Sequence, residues 1–383
     1  MRDSVRLGLV ASLFFASAHA SLADFALGKV LDDASEIFGP YTKNYTSKAE
    51  WMKSYKDDTL LVHMNIPGTH DSATWNYTQA TQDAFLGITD LNGVTVPEPR
   101  TFRCQERSLI DGLNNGIRAF DLRYAFDPTN TTLIFYHSQA LLSQTADLNS
   151  VLFGFYQWLD DHPSETVFLS LQYETSTAKY EANSAALQMH LYDALTTPAA
   201  RRYFVQTKDE LGTLGEARGK LTLLRRFDLD KLPSSYTDAL PGLHFSPNLW
   251  TDNSPVISLT YNKSKNLTAH IEDFYEPLTP SNSSAADNIK WKYNATTNNL
   301  LLAANQYPND LVWTWASSEK VENSPPVWPE IMAIGDGSSS TPDGGVNQQL
   351  IRFFKEHTHK RMGIVMFDYF DQPGDLIDTF LGI

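Results

Sequence analysis

The chain has 383 residues, room for one large domain or two ordinary ones. Its 42% hydrophobic and 12% aromatic residues can build a substantial core, which excludes a disordered polypeptide. A formal charge of −15 excludes a nucleic-acid binder, which needs a basic stripe to displace phosphate counterions, and it disfavours tight adsorption to anionic membranes.

From the N-terminus, Arg2 and Arg6 precede the apolar "LGLVASLFFASA" and the small residues "AHA". This pattern predicts a secretory leader over 1–20, cleaved after Ala20 and shorter than a membrane span. Residues 21–50 read as an N-terminal extension and 51–383 as one domain. Asn44, Asn76, Asn130, Asn262, Asn266, Asn282 and Asn294 each open an N-x-S/T sequon. With the leader, they predict an extracellular glycoprotein of the eukaryotic secretory pathway. Cys104 is the single cysteine, so no intramolecular disulfide forms and a buried apolar thiol is expected.

Strands are predicted at "LLVHMNI" (60–66), "GIRAFDLRYAF" (116–126), "TLIFYHS" (132–138), "TVFLSLQYE" (166–174), "KLTLLRRF" (220–227), "LTAHIEDFY" (267–275), "DLVWTWAS" (310–317) and "GIVMFDYF" (363–370). Pro67-Gly68 is expected to end the first of them. Helical periodicity marks 145–161, stopped by Pro163, then 182–197 and 346–359. Segments 279–287 and 335–345 read as loops on composition. Strands alternating with helices predict an α/β fold, a single-domain, irregular (β/α) TIM-type barrel. No glycine-rich phosphate turn follows the first strands, which disfavours a doubly wound nucleotide-binding sheet.

In such a barrel chemistry gathers at the C-terminal ends of the strands. His70-Asp71, Asp121 with Arg123, His137, Glu174, Arg226, Asp273 with Tyr275, and Asp368 all come late in their runs. Each alone is ordinary: Asp71 could cap a helix, and Asp121 and Arg123 could be a surface pair. Together they have a chemical logic. Two imidazoles, each oriented by a carboxylate, can remove a proton from an attacking hydroxyl and deliver one to a leaving oxygen. An arginine between them suits an anionic phosphate. Such a set cleaves a phosphodiester through an adjacent hydroxyl without a metal.

"IPGTHDSAT", "GIRAFDLR", "HPSETVFLSLQYE", "GKLTLLRRF" and "GIVMFDYF" together resemble the X domain of phosphatidylinositol-specific phospholipase C, nearest the bacterial metal-independent type. The likeness runs from about 60 to 375 and is weakest over 228–345. It implies that His70 is the general base supported by Asp368, that His137 is the general acid supported by Asp71, and that Arg123 binds phosphate. It also implies headgroup contacts for Arg226, Glu174, Asp273 and Tyr275. Gln172 stands where the bacterial enzymes carry Lys, and "YHSQ" replaces their "HHG" or "YHG".

The implied partner is a phosphoinositide or glycosylphosphatidylinositol-type lipid, met by a monomer in transient membrane contact and cleaved by way of inositol 1,2-cyclic phosphate, with no cofactor. Trp75 and Trp250 are candidates for the rim of the mouth, against a core position as the commoner place for an aromatic. The rivals are a catalytically weak barrel that binds lipid headgroups or glycans, a glycerophosphodiester phosphodiesterase, and a glycosidase. The second calls for a metal-binding acidic cluster, and the third for paired carboxylates about 5–9.5 Å apart.

Overall fold

The computed structural model describes residues 21–89, 96–174 and 179–383. The segment 1–20, expected as a leader, lies outside them. Eleven strands are formed: β1 Ile66–Thr69, β2 Ala119–Phe126, β3 Leu133–His137, β4 Ala140–Leu141, β5 Thr166–Tyr173, β6 Lys220–Arg226, β7 Leu243–His244, β8 Ser254–Asn262, β9 Leu267–Asp273, β10 Leu311–Trp315 and β11 Ile364–Phe367. They join one sheet in the order β7-β6-β5-β2-β1-β11-β10-β9-β8, with β3 and β4 off β2. Every step from β7 round to β9 is parallel, whereas β8 lies antiparallel on β9 and β3 antiparallel on β2. The sheet curls into a nearly closed barrel wrapped by helices, as expected.

No ladder joins β7 to β8 among the described residues. Rings fill this seam instead: Phe245 lies 5.7 Å from Tyr261 and 5.6 Å from Trp313, centroid to centroid.

Strand periodicity sorts residues into two packed layers. Val167, Leu169, Leu171, Leu221, Leu223, Val365 and Phe367 face outward and pack with helical residues such as Leu152, Phe155, Leu350 and Phe354. Ala119, Phe168, Leu224, Ile271, Trp313, Trp315, Ile364 and Met366 fill the barrel interior. Continuing the inward parity towards the strand ends leads to Arg123, Gln172, Arg226, Asp273, Asp368 and, on β1, His70. The chain thus changes from apolar filling to polar groups within the same inward-facing rows.

Two expectations about β1 are corrected. The strand begins at Ile66, after a short 3-10 turn at Leu61–His63, and Pro67-Gly68 lies inside it. Proline is tolerated in this central position because β2 pairs with β1 only from Gly68 onward, so no ladder partner awaits the missing N–H. Gly68 is required by crowding. A Cβ there would meet Met366 Sδ at 2.5 Å, Ala119 Cβ at 2.8 Å and the Ala119 carbonyl oxygen at 2.9 Å. Gly68→Ala is expected to cost about 1–3 kcal/mol by overpacking. It should also wedge β1 away from β2 and β11, so thermal unfolding and activity should fall together; an unchanged melting temperature would contradict this.

The loop reading of 279–287 ends early, because Ser284 caps a helix at Ala285–Asn305 through the Asp287 N–H. Over 335–345 the chain folds around Asp336, whose carboxylate accepts from the Ser338 N–H and the Thr341 hydroxyl. Near the N-terminus, a helix over Leu22–Phe38, begun by a Ser21 capping box, buries Ala34, Ile37 and Phe38. Phe38 meets Phe155 edge-on at 5.2 Å, on the helix Leu148–Asp161. Trp75 Nε1 donates to the Ile37 carbonyl at 2.8 Å. Trp75 is therefore an anchor for this helix, in keeping with the core alternative, and not a rim residue.

Candidate active site

His70 directly follows β1, and its N–H donates to the Phe367 carbonyl at the end of β11. Gln105 Nε2 ties the same junction, donating at 2.8 Å to the His70 and Phe367 carbonyls. Asp368 thereby comes beside His70, with 2.9 Å between Nδ1 and Oδ1. On the other side of the ring, Arg123 Nη2 lies 2.8 Å from His70 Nε2. A guanidinium can only donate, so Nε2 must be the acceptor and the proton must sit on Nδ1, facing Asp368. His70 is thus a neutral imidazole with its lone pair aimed at Arg123. Burial first, then the Arg123 charge, push it well below the ordinary histidine value. Burial, reinforced by the Asp71 charge, pushes Asp368 well up.

Arg123 is the hub. Its Nε lies 3.3 Å from Asp121 and 3.5 Å from Asp71, and its Nη1 lies 3.6 Å from Glu174. Burial opposes its charge, yet Asp71, Glu174 and Asp121 outweigh burial and hold it fully protonated. Asp71 adopts a left-handed conformation at φ 37° and is completely buried. Burial, countered by Arg123, pushes its carboxyl up to about 7.

His137 ends β3. Its Nδ1 donates to the Phe102 carbonyl at 2.7 Å, while Asp71 Oδ2 lies 3.3 Å away. Asp71 therefore neighbours the ring, whereas the shorter bond that fixes its tautomer goes to a backbone carbonyl. Burial, then Arg123, push His137 down to about 4. The His70 and His137 rings face one another edge-on at 6.2 Å.

The remaining predicted residues build the other wall. Arg226 lies 3.5 Å from both Asp121 and Asp273, and its guanidinium stacks 4.1 Å over Trp250 and 4.9 Å over Trp315. Trp250 Nε1 donates to Asp273 at 2.7 Å. Trp250 is thus built into the site and is no free rim anchor. The Tyr275 hydroxyl bonds to Asp252 at 3.2 Å. Glu174 accepts the Ser138 N–H at 2.8 Å and so shapes the turn after His137. Gln172, paired in register with Arg123, has a buried Oε1 with no hydrogen bond among the described residues.

His70, Arg123, His137, Gln172, Glu174, Arg226, Asp273, Tyr275 and Asp368 all line one cavity of about 880 Å³. Asp71 and Asp121 stand behind its wall. The volume suits a drug-sized ligand or a sugar headgroup.

Residues 92–227 match the family model described as the phosphatidylinositol-specific phospholipase C X domain. That stretch, about a third of the chain, is similar to the phosphatidylinositol-specific phospholipase C X domain. The matched stretch contains Arg123, His137, Gln172, Glu174 and Arg226, while β1 and β11 bring His70 and Asp368 to it. The chain is 22% identical over 254 residues to a 1-phosphatidylinositol phosphodiesterase of Staphylococcus aureus (strain Newman), covering 66% of this chain and 72% of that one. It is 30% identical over 186 residues to a Listeria monocytogenes protein of the same name, covering 48% and 50%. Its fold matches that of a double mutant of phosphatidylinositol-specific phospholipase C from S. aureus, with a TM-score of 0.65 at 18% identity over 88% of this chain and 96% of that one.

Sequence reasoning missed two parts of the site. The Phe102 carbonyl has no side-chain signature. Gln105 was legible only as a polar residue after Cys104. Trp250 was placed at the mouth, but its bond to Asp273 and its stacking under Arg226 had no signal in the sequence.

Glu319, also on the cavity wall, carries a pH signature. Burial, opposed by the Val321 N–H, pushes its carboxyl up to about 7 from 4.5. A carboxyl raised on folding stabilises the folded state fully below its unfolded value, and that contribution is lost as pH rises through the folded one. Glu319→Gln removes the loss. The variant should gain about 1–3 kcal/mol over wild type on going from about pH 5 to about pH 8, a few degrees of melting temperature. An identical difference at both pH values would refute this.

Proposed function

We propose that this protein cleaves the phosphodiester of phosphatidylinositol-type lipids by acid–base catalysis. The observation that carries the reading is the neutral His70, its lone pair aimed at Arg123, with His137 on the opposite side of the same cavity. The phosphate's non-bridging oxygens would take over Arg123's donors and free His70 Nε2. That nitrogen then removes the proton of the inositol 2-hydroxyl as its oxygen attacks phosphorus. His137 Nε2 gives its proton to the departing glycerol oxygen. The products are inositol 1,2-cyclic phosphate and diacylglycerol. In the empty site His137 is neutral; a bound phosphodiester monoanion works in the opposite direction and favours the imidazolium that must donate.

Arg123 supplies the positive charge at the phosphate, so no metal is needed for the step. Arg226, Asp273, Tyr275 and Glu174 offer the donors and acceptors for inositol hydroxyls, and Gln172 offers a neutral amide in place of a second cation. Leu249 is 61% exposed between the cavity-lining residues Asn248 and Trp250, giving a monomer an apolar tip for brief contact with a lipid surface. Among the described residues no helix is long and apolar enough to cross a membrane. The protein is proposed to be secreted through the eukaryotic pathway and glycosylated. In support, Asn76, Asn130, Asn266, Asn282 and Asn294 are exposed, and Asn44 and Asn262 are half-buried.

The test is incubation of the purified chain with phosphatidylinositol in detergent micelles under a chelator, followed by phosphorus NMR. A cyclic phosphodiester product is expected. Its absence from the wild type would sink the reading, and activity only with added calcium would overturn metal independence. A parallel incubation with a glycosylphosphatidylinositol-anchored protein distinguishes the two lipid classes by release of the anchored chain.

A further inference from the structure

We propose that the floor of the cavity binds a thiophilic divalent cation, Zn²⁺ above all, through His70, Cys104 and Asp368, and that its occupation inactivates the domain. The inactivation rests on the acid–base reading above, whereas the binding does not.

Each of the three residues offers one ligand atom, and these atoms lie within 4.8 Å of one another. A tetrahedral zinc site with bonds of about 2.0–2.3 Å separates its ligands by roughly 3.5 Å, so the atoms need only close by about an ångström. A nitrogen, a sulfur and a carboxylate oxygen suit zinc, while calcium and magnesium demand oxygen ligands throughout.

The second, independent observation is Asp368 Oδ2. It is buried and no donor among the described residues reaches it in good hydrogen-bond geometry, the Ser318 N–H contributing only a weak attraction to the carboxylate, although Oδ1 is used by His70. A buried acceptor without a donor is costly, and a cation would satisfy it. Cys104 is equally ill-served. Its Sγ lies 4.0 Å from the Phe102 carbonyl and 4.0 Å from His137 Nδ1, too far for more than weak bonds. The thiol is buried against protein yet borders the solvent-open cavity, which gives an ion a way in. No other cysteine competes for it.

On binding, the thiol proton leaves to solvent and the thiolate charge is met by the metal. Asp368 and His70 Nδ1 become ligands; the Nδ1 proton passes to Nε2, which gives up its contact with Arg123, so the ring stays neutral and can no longer act as a carboxylate-supported base. Arg123, adjacent to His70, repels the ion, which makes the site reversible and inhibitory, unlike a permanent structural centre.

The experiment uses the full chain, Cys104→Ala and, should that variant fold poorly, the closer Cys104→Ser. Zn²⁺ binding is followed by calorimetry, and Co²⁺ replaces it for the near-ultraviolet thiolate charge-transfer band. Wild type should bind one Zn²⁺, show the band with Co²⁺, and lose activity in a way that a chelator reverses. The variants should retain zinc-free activity, lose the band, and bind Zn²⁺ at least about 100-fold more weakly. Equal zinc sensitivity in wild type and variants, or no thiolate band, overturns the proposal. A thiolate band in a protein that never cleaves the lipid upholds the cation site and overturns the acid–base reading instead.

Discussion

Exchanging His70 for Ala lowers kcat on phosphatidylinositol by an expected factor of about 10⁴ or more. The ring's lone pair meets Arg123 at 2.8 Å, and its tautomer is set from behind by Asp368. Removing it deletes the proton acceptor while Arg123 and Arg226 remain to bind phosphate and headgroup. KM should therefore stay within a few-fold of wild type as kcat collapses, the mark of an interaction used only in the transition state. Asp368→Asn keeps the ring but offers Nδ1 either a donor or a weaker acceptor. Its cost should be smaller, about 10²–10⁴-fold in kcat. Initial rates on mixed micelles, with circular dichroism to confirm folding, decide the matter. A His70→Ala enzyme within tenfold of wild type would remove His70 from the chemistry.

The largest expected loss of stability lies at the opposite end of β2. Arg118 is fully buried and pairs with Glu165 through Nε at 3.0 Å and Nη2 at 2.7 Å. Its remaining donors reach the carbonyls of Leu113, Ile117 and Ala49, and its plane lies 4.7 Å over the Trp158 ring. One side chain thus fastens the segment before β1, the helix Leu109–Asn114 and the foot of β5 together. Arg118→Met leaves Glu165 buried without its countercharge and three carbonyls without donors. The expected cost is about 3–5 kcal/mol, read from denaturant unfolding. The double change Arg118→Met with Glu165→Leu should recover a large part of that loss, since no lone charge is then left inside. A double mutant as unstable as the sum of both singles would show that the pair's charges are not coupled.

These two residues mark what the sequence made legible. "GIRAFDLR" holds both Arg118 and Arg123, yet only Arg123 could be given a role, because inward parity and a position late in its strand point to the barrel mouth. Arg118 sits where the strand begins, and nothing local says that its charge is met by a glutamate 47 residues away. The strands that carry the site were readable because parallel strands covered on both faces form near-continuous apolar runs ending in polar groups. The helix Ala285–Asn305 was not. Its buried face includes Asn288, Lys292, Thr296 and Asn299, and Lys292 is interior because Glu272 of β9 meets it at 2.6 Å. Two charges that hide one another look like two exposed charges in a sequence. Cys104 was read correctly as buried, but its polar neighbours His137 and Asp368 come from strands far along the chain. His63, inside the stretch predicted as the first strand, is exposed and bonded to Asn309.

The seam between β7 and β8 has a kinetic meaning. Everywhere else round the barrel, parting two strands breaks a row of backbone hydrogen bonds; here it parts Phe245 from the tilted Tyr261 ring and the edge-on Trp313 ring, with isolated side-chain bonds such as Asn262 Nδ2 to the Asp209 carbonyl. These contacts separate without exposing a whole ladder of orphaned amides, so the wall should breathe first along this line. Amide hydrogens of β7 and β8 should exchange with deuterium well before those of β1, β2 and β5, making this flank the hinge side of a barrel whose catalytic side stays shut.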